Sequence, residues 1–317
     1  MATNKRPIES LLDELTSDQP LVMASLFRLS DLTPKEVKAV TERWPQLPED
    51  RRYAIMQHLA DLTEENFQVY FEPLFAFCLQ DAAASVRRAA LEGLWDTDNT
   101  DLIPAILNLL ANDPDVPVRA AAAGALGHFV LFTEWGQFPE SVMAPIVAGL
   151  IAQLENHDTP TPVRRAALEA VSSAAHERIP VFIESAYNDD DEQMQAAAIY
   201  AMGNQADPRW LKDVRLELAS DSALLREEAV RAAGNIGSSD LVDEIIDLLH
   251  TDDDIAVKLA AVSALGQIGS DVAREALGEL LEDAEAEDLH EAIEEALEEM
   301  DILGQMDLLE YNPDEEE

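Results

Sequence analysis

The chain has 317 residues, with 21 Lys and Arg against 64 Asp and Glu, a formal net charge of −43. Non-specific grip on nucleic acid comes from cationic side chains that displace condensed counterions, so this balance excludes a general nucleic-acid binder. Hydrophobic residues still make up 47% of the chain, whereas unfolded acidic polypeptides combine high charge with low hydrophobicity.

At the N-terminus, Lys5 and Arg6 lead into Ile8–Leu15, an amphipathic stretch carrying Glu9, Asp13 and Glu14 rather than the apolar core of a signal peptide. Residues 1–80 are expected to form degenerate helical repeats or a cap. Weak units are anchored near Leu21 and Arg51, and residues 55–59 keep an apolar spacing without the motif that follows. The single cysteine, Cys78, has no internal disulfide partner and reads as a small buried apolar residue with no base nearby in sequence. The longest apolar run, 143–154, is shorter than the ~20 residues of a membrane span. These features predict a soluble, cytoplasmic protein.

From residue 81 one phrase recurs: Asp, a few residues, an aliphatic, Arg, then Ala-Ala and Leu-Gly at helical spacing. The aliphatic anchors are Val86, Val118, Val163, Met194, Leu225, Val257 and Leu289, separated by 32, 45, 31, 31, 32 and 32 residues. Each period holds two helices. Val257, Ala260, Ala261, Ala264, Leu265 and Ile268 form one stripe of a second helix, while 241–249 and 102–110 have the same period as first helices. Gly237 suits a C-cap, Ser239 or Asp240 an N-cap, and the acids at 112–115 and 252–254 turn the chain within a pair. Such a pair cannot bury its stripe alone, so the pairs must stack into a right-handed α-solenoid of about seven to nine two-helix repeats. The phrase, its Asp and Arg positions and the 31–32-residue period resemble HEAT repeats, in the short form of the PBS lyase HEAT-like group, over roughly 81–300. The expected organisation is an all-α array over 81–303, with an aromatic insertion at 128–140 and an acidic tail at 304–317.

An acid precedes the anchor at Asp81, Asp113, Asp158, Asp189, Asp221 and Asp252, and a base follows it at Arg87, Arg119, Arg164, Arg226 and Lys258. Stacking is expected to join acids and bases in a ladder of charge-assisted hydrogen bonds, which Gln195 and His290 interrupt. The other reading of the arginines is a binding groove. Partner contacts are expected on the open face of the second helices, at about 2, 6 and 9 residues after the anchor: Arg88, Glu92 and Trp95, Arg165 and Glu169, Tyr200, and Glu227 and Arg231. Trp95 takes the slot that Gly127, Gly203, Gly234 and Gly266 hold elsewhere, either as a contact anchor or as a plug against a neighbouring loop. The insertion carries Phe129, Phe132, Trp135 and Phe138. Its rings either fold over their own repeat or protrude, with Trp135 the ring left available.

The six histidines are scattered, and no HExxH, CxxC or phosphate-binding glycine loop occurs. No catalytic residue, metal or cofactor is therefore predicted. The pairs His176-Glu177 and His290-Glu291 invite comparison with the deoxyhypusine hydroxylases, HEAT-repeat enzymes whose His-Glu pairs ligate two irons. Here two pairs stand off the matching register. The charge concentrates at the C-terminal end, where residues 270–317 hold 1 basic and 20 acidic side chains. Either a basic partner or solubility accounts for it. The sequence thus predicts a non-catalytic scaffold or adaptor that binds a protein, a basic one on the first account of the charge, with neither nucleic acid nor membrane as partner. The alternative is an accessory or catalytic subunit of a bilin lyase-like or His-Glu di-iron hydroxylase-like enzyme.

Overall fold

The computed structural model describes residues 7–17, 19–66, 68–282 and 284–310, with 284–286 and 303–310 as backbone only. Among the described residues there is no strand. The chain divides into two compact units at the Val171/Ser172 boundary. In the first, α1 (Ile8–Leu15), α2 (Met23–Leu26), α3 (Pro34–Arg43), α4 (Glu49–Glu65), α5 (Glu72–Cys78), α6 (Ala84–Glu92), α7 (Ile103–Asn112), α8 (Val116–Glu134), α9 (Glu140–Glu155) and α10 (Thr161–Val171) form successive antiparallel pairs. In the second, α11 (Ile179–Tyr187), α12 (Glu192–Gln205), α13 (Leu211–Glu217), α14 (Ala223–Ile236), α15 (Val242–Thr251), α16 (Ile255–Ile268), α17 (Asp271–Leu281) and α18 (His290–Glu310) do the same.

From Val86 to Val257 each anchor is the third residue of a second helix and is buried. Local chemistry fixes that register. In the turns 113–115 and 252–254 the first Asp accepts the backbone N–H two residues on, at 2.9 Å in both. The second, Asp115 or Asp254, caps the coming helix. Leu289 departs from the rule, because α18 begins one residue after it. Gly237 ends α14 in the left-handed conformation, φ 69°. The cap of the next turn is Ser238, whose hydroxyl accepts from the Asp240 N–H, not Ser239 or Asp240 as the sequence suggests.

Within each unit, consecutive second helices lie against one another through alanine and glycine. A Cβ built on Gly203 would stand 2.7 Å from the Ala232 Cα, and one on Gly127 3.0 Å from the Ala170 Cα. The +9 slot is therefore a close-packing position and not part of the open face. Trp95 does not occupy it, since α6 has already ended at Glu92. Helix α8 has the length and apolar composition of a membrane span, which the sequence reading assigned to no segment. Its Val118, Ala122, Leu126 and Phe129 are fully buried, as befits the central helix of a stack. In α18, Ile293, Ala296 and Met300 are buried while Glu291, Glu294, Glu295, Glu298 and Glu299 face solvent. Backbone helix continues past Gly304 to Glu310, and the rest of the acidic tail lies outside the described residues.

The N-terminal segment is more regular than its sequence suggests. Helix α3 opens on a complete capping box, in which Thr33 Oγ1 accepts from the Glu36 N–H at 3.4 Å and Glu36 Oε2 accepts from the Thr33 N–H at 3.0 Å. Arg28 pairs with the same carboxylate. The Thr33 N–H and the Arg28 guanidinium hold the Glu36 carboxyl well down, at about 2 against an ordinary 4.5. A depressed folded-state pKa adds stability above the unfolded value, and that stability is lost as pH falls through the folded one. Glu36→Gln should thus destabilise the first unit by about 0.5–2 kcal/mol at pH 7. The penalty should shrink steadily from pH 4.5 toward 2. Urea titrations at both ends of that window test this; a penalty independent of pH would rule out the carboxylate as its source.

Candidate functional site

The recurring acids and bases form rungs between neighbouring pairs, but not at every predicted position. Arg87 Nε and Nη2 donate to both Asp113 oxygens, each at 2.7 Å, while Nη1 donates to the Asp81 carbonyl of its own turn at 2.8 Å. Arg226 repeats the arrangement, with 2.6 and 2.9 Å to Asp252 and 2.9 Å to the Ser220 carbonyl. Each arginine therefore closes its own turn and clamps the next, using the planar fork that lysine lacks.

Asp81 is clamped by Arg52, at 3.0 Å to each oxygen, and also accepts from Trp44 Nε1 at 2.8 Å. The sequence does not disclose this rung, because Arg51 stands where the aliphatic anchor would be. Asp158 and Asp221 are not rungs. Their side chains are exposed, and Asp221 offers Arg226 its carbonyl, at 3.2 Å, while its carboxylate acts on that arginine only through space. The 45-residue interval shifts the turn, so that Asn156 takes the Asx position ahead of Asp158. Arg119 bonds instead to Gln153 Oε1 at 2.8 Å and to the Leu110 carbonyl at 3.0 Å. Arg164 donates to Thr161 Oγ1 at 3.5 Å within its own first turn. Lys258 acts electrostatically on Asp252, and position 284, five residues before the Leu289 anchor, is alanine. Gln195 keeps the turn-closing half of the arginine's role, donating to the Asp189 carbonyl at 2.8 Å.

On the open face the +2 and +6 residues pair along their own helices. Arg88 stands 3.4 Å from Glu92, Arg165 3.7 Å from Glu169, and Arg231 2.6 Å from Glu227. Burial raises the Glu92 pKa and Arg88 opposes it, while Asp61 and Glu64 push it further up. Burial raises that of Glu169 against Arg165. These arginines are neutralised locally and make no basic stripe. In the second unit the same face exposes Tyr200 and Leu259, each about two-fifths accessible.

The surplus residues of the long interval extend α8 to Glu134 before the chain turns back into α9. Phe129 is buried and lies 5.8 Å from Phe138, while Phe132 stacks on Trp135 at 5.6 Å. Trp135 remains 64% exposed. Trp95 lies in the turn after α6, 39% exposed.

Cys78 is fully buried, and burial together with Asp81 pushes its thiol pKa far up. His176 lies in the turn before α11, where its Nδ1 accepts from the Arg178 N–H at 3.3 Å, and His290 opens α18. Among the described residues no three His, Cys, Asp or Glu side chains converge as metal ligands.

Stacked helix pairs with clamped turns define an all-α protein of the α-solenoid class. The family model for HEAT repeats matches residues 71–139 and 211–298, so the chain carries HEAT repeats over those two stretches. Among solved structures, the CpcE–CpcF complex of phycocyanin lyase from Nostoc sp. PCC7120 matches with a TM-score of 0.56 and 20% identity, covering 88% of this chain and 98% of that one. Yeast importin-β matches with a TM-score of 0.53 and 14% identity, over 92% of this chain and 46% of that one. At these identities the likenesses describe the fold. Human deoxyhypusine hydroxylase, at 19% identity over 93% of this chain and 96% of that one, has a TM-score of 0.37, too loose to compare side-chain positions. No curated protein sequence matches the chain.

Proposed function

We propose that this HEAT-repeat scaffold works by binding a protein partner on the open face of its second helices. The observation that carries the reading is the use of side chains by the stack. Anchors, the rung acids Asp81, Asp113 and Asp252 and the +9 glycines are consumed by packing, whereas Tyr200 at +6 and Leu259 at +2 are exposed and Glu227 pairs with Arg231 on its own helix. An aromatic and an aliphatic among paired charges resemble the composition of interface centres and rims. The shielded Cys78 thiol and the engaged His176 favour a non-catalytic role over the lyase-like or hydroxylase-like alternative.

Affinity capture with the full chain and with a Tyr200→Ala/Leu259→Ala variant, at low and high salt, tests this. A specific partner should be recovered with the first and lost at least tenfold with the second, about the loss of one hot-spot residue. Identical recovery from both would remove the open face as the determinant. A chromophore or iron that copurifies and is lost on His176→Ala/His290→Ala would return the enzymatic reading.

A further inference from the structure

Of the four tryptophans, Trp44 and Trp210 are buried, while Trp95 and Trp135 reach water on the same unit. His128 connects their surroundings. Its ring lies 3.9 Å, centroid to centroid, from Phe132, on which Trp135 stacks. The loop that Trp95 opens lies within electrostatic reach of the same ring. Burial pushes the imidazole pKa down, and Asp96, the Thr97 backbone and Asp98 pull it back up. Tyr70, also exposed, feels Glu72 and Asp98 from the neighbouring turn. The loop 95–98 and the α8–α9 corner thus form one surface with three aromatic rings in water.

The charge of this surface is one-sided. Asp96 and Asp98 in the loop and Glu134 and Glu140 at the corner are exposed acids, and between Arg88 and Arg164 the chain has a single Lys or Arg, which is Arg119. Arg119 is committed to Leu110 and Gln153. Exposed indoles present a negative face that attracts ammonium and guanidinium groups, and an acid field without local cations concentrates such groups around it. An acidic partner would be repelled, and a neutral apolar one would leave Asp96 and Asp98 to be desolvated without compensation.

We propose that this surface, made by Trp95, Asp96, Asp98 and the Phe132–Trp135 stack, docks a Lys- and Arg-rich segment of a partner protein, with cationic groups over the indoles and between the carboxylates. The inference rests on the protein-binding reading and commits it to one occupant at a second place on the scaffold.

The probe is a fluorescein-labelled peptide of repeating Arg-Ser-Lys-Gly, followed by anisotropy with the full chain. Binding should weaken with salt. Trp95→Ala and Trp135→Ala should each reduce affinity about 3- to 30-fold. Asp96→Asn/Asp98→Asn, which keeps every ring, should do so as well, with circular dichroism unchanged. Glu294→Gln/Glu298→Gln on α18 should leave affinity within about twofold, being outside the surface. The proposal is overturned if the peptide does not bind at low salt, or if the tryptophan and Asp96/Asp98 variants bind as the parent does. It is also overturned if the α18 variant loses as much as they do, the signature of a diffuse field. None of those outcomes alters the Tyr200/Leu259 capture result, so the scaffold reading stands or falls separately.

Discussion

Asp113→Ala should lower the unfolding free energy of the first unit by about 3–5 kcal/mol, and Asp252→Ala should do the same in the second. The cause is what each substitution leaves behind. Both carboxylates are almost inaccessible, and the Arg87 and Arg226 side chains retain only 11% and 18% of their exposure. Removing the acid strands a guanidinium between two turns with two donors unsatisfied, which costs more than the pair's net worth. Asp158→Ala and Asp221→Ala, acids that the sequence places five and four residues before their anchors, should each change stability by less than about 0.5 kcal/mol, as exposed residues without a rung. Urea unfolding followed by circular dichroism separates the two classes, and equal effects in all four variants would refute the clamp. Replacing both members of a rung, as in Arg87→Met/Asp113→Leu, should cost much less than either single change. For Asp252 the pH dependence has a definite sign. The Arg226 fork and the Asp254 N–H hold its carboxyl below the ordinary 3.8. Its contribution is present above that value and is lost as pH falls through the lowered one.

The contrast between Asp113 and Asp158 also marks the limit of what the sequence discloses. Periodicity revealed the helices because the apolar stripe is a one-dimensional signal: offsets of three and four residues place Val257, Ala260, Ala261 and Ala264 on one buried face. The rungs depend on two turns at once. Where the interval is 32 residues, as from Val86 to Val118, the register carries Arg87 onto Asp113. Where it is 45, the extended α8 changes the entry into the next turn, and Asn156 and Gln153 take over from Asp158. Arg52 was hidden for the opposite reason, since its neighbour Arg51 breaks the phrase although the geometry is intact. Of the candidate surface, the pairs Arg88–Glu92, Arg165–Glu169 and Glu227–Arg231 follow from helical spacing alone. The proximity of the Trp95 loop to His128 does not, because it joins the end of one second helix to the middle of the next.

The recurrent glycine of the second helix is where propensity and packing oppose each other, and packing should win. In a helix interior Gly→Ala is worth about 0.8–1.0 kcal/mol in favour of alanine. Gly278→Ala, with open space around the new methyl group, should realise that gain. Gly203→Ala should not. Its methyl would stand 2.7 Å from the Ala232 Cα and 3.0 Å from the Ala232 Cβ, so α12 and α14 must separate along their line of contact. Overpacking of this kind costs about 1–3 kcal/mol, more where the obstacle is backbone, so the second unit should lose about 1–2 kcal/mol net and its hydrogen-exchange protection should fall along both helices. A stabilised Gly203→Ala variant would show that the two helices are not in close contact. Adding Ala232→Gly discriminates further. It removes the Cβ but leaves the Cα in place, so rescue should be partial; full rescue would mean that α14 shifts freely and that the alanine methyl, not the backbone, sets the spacing of the stack.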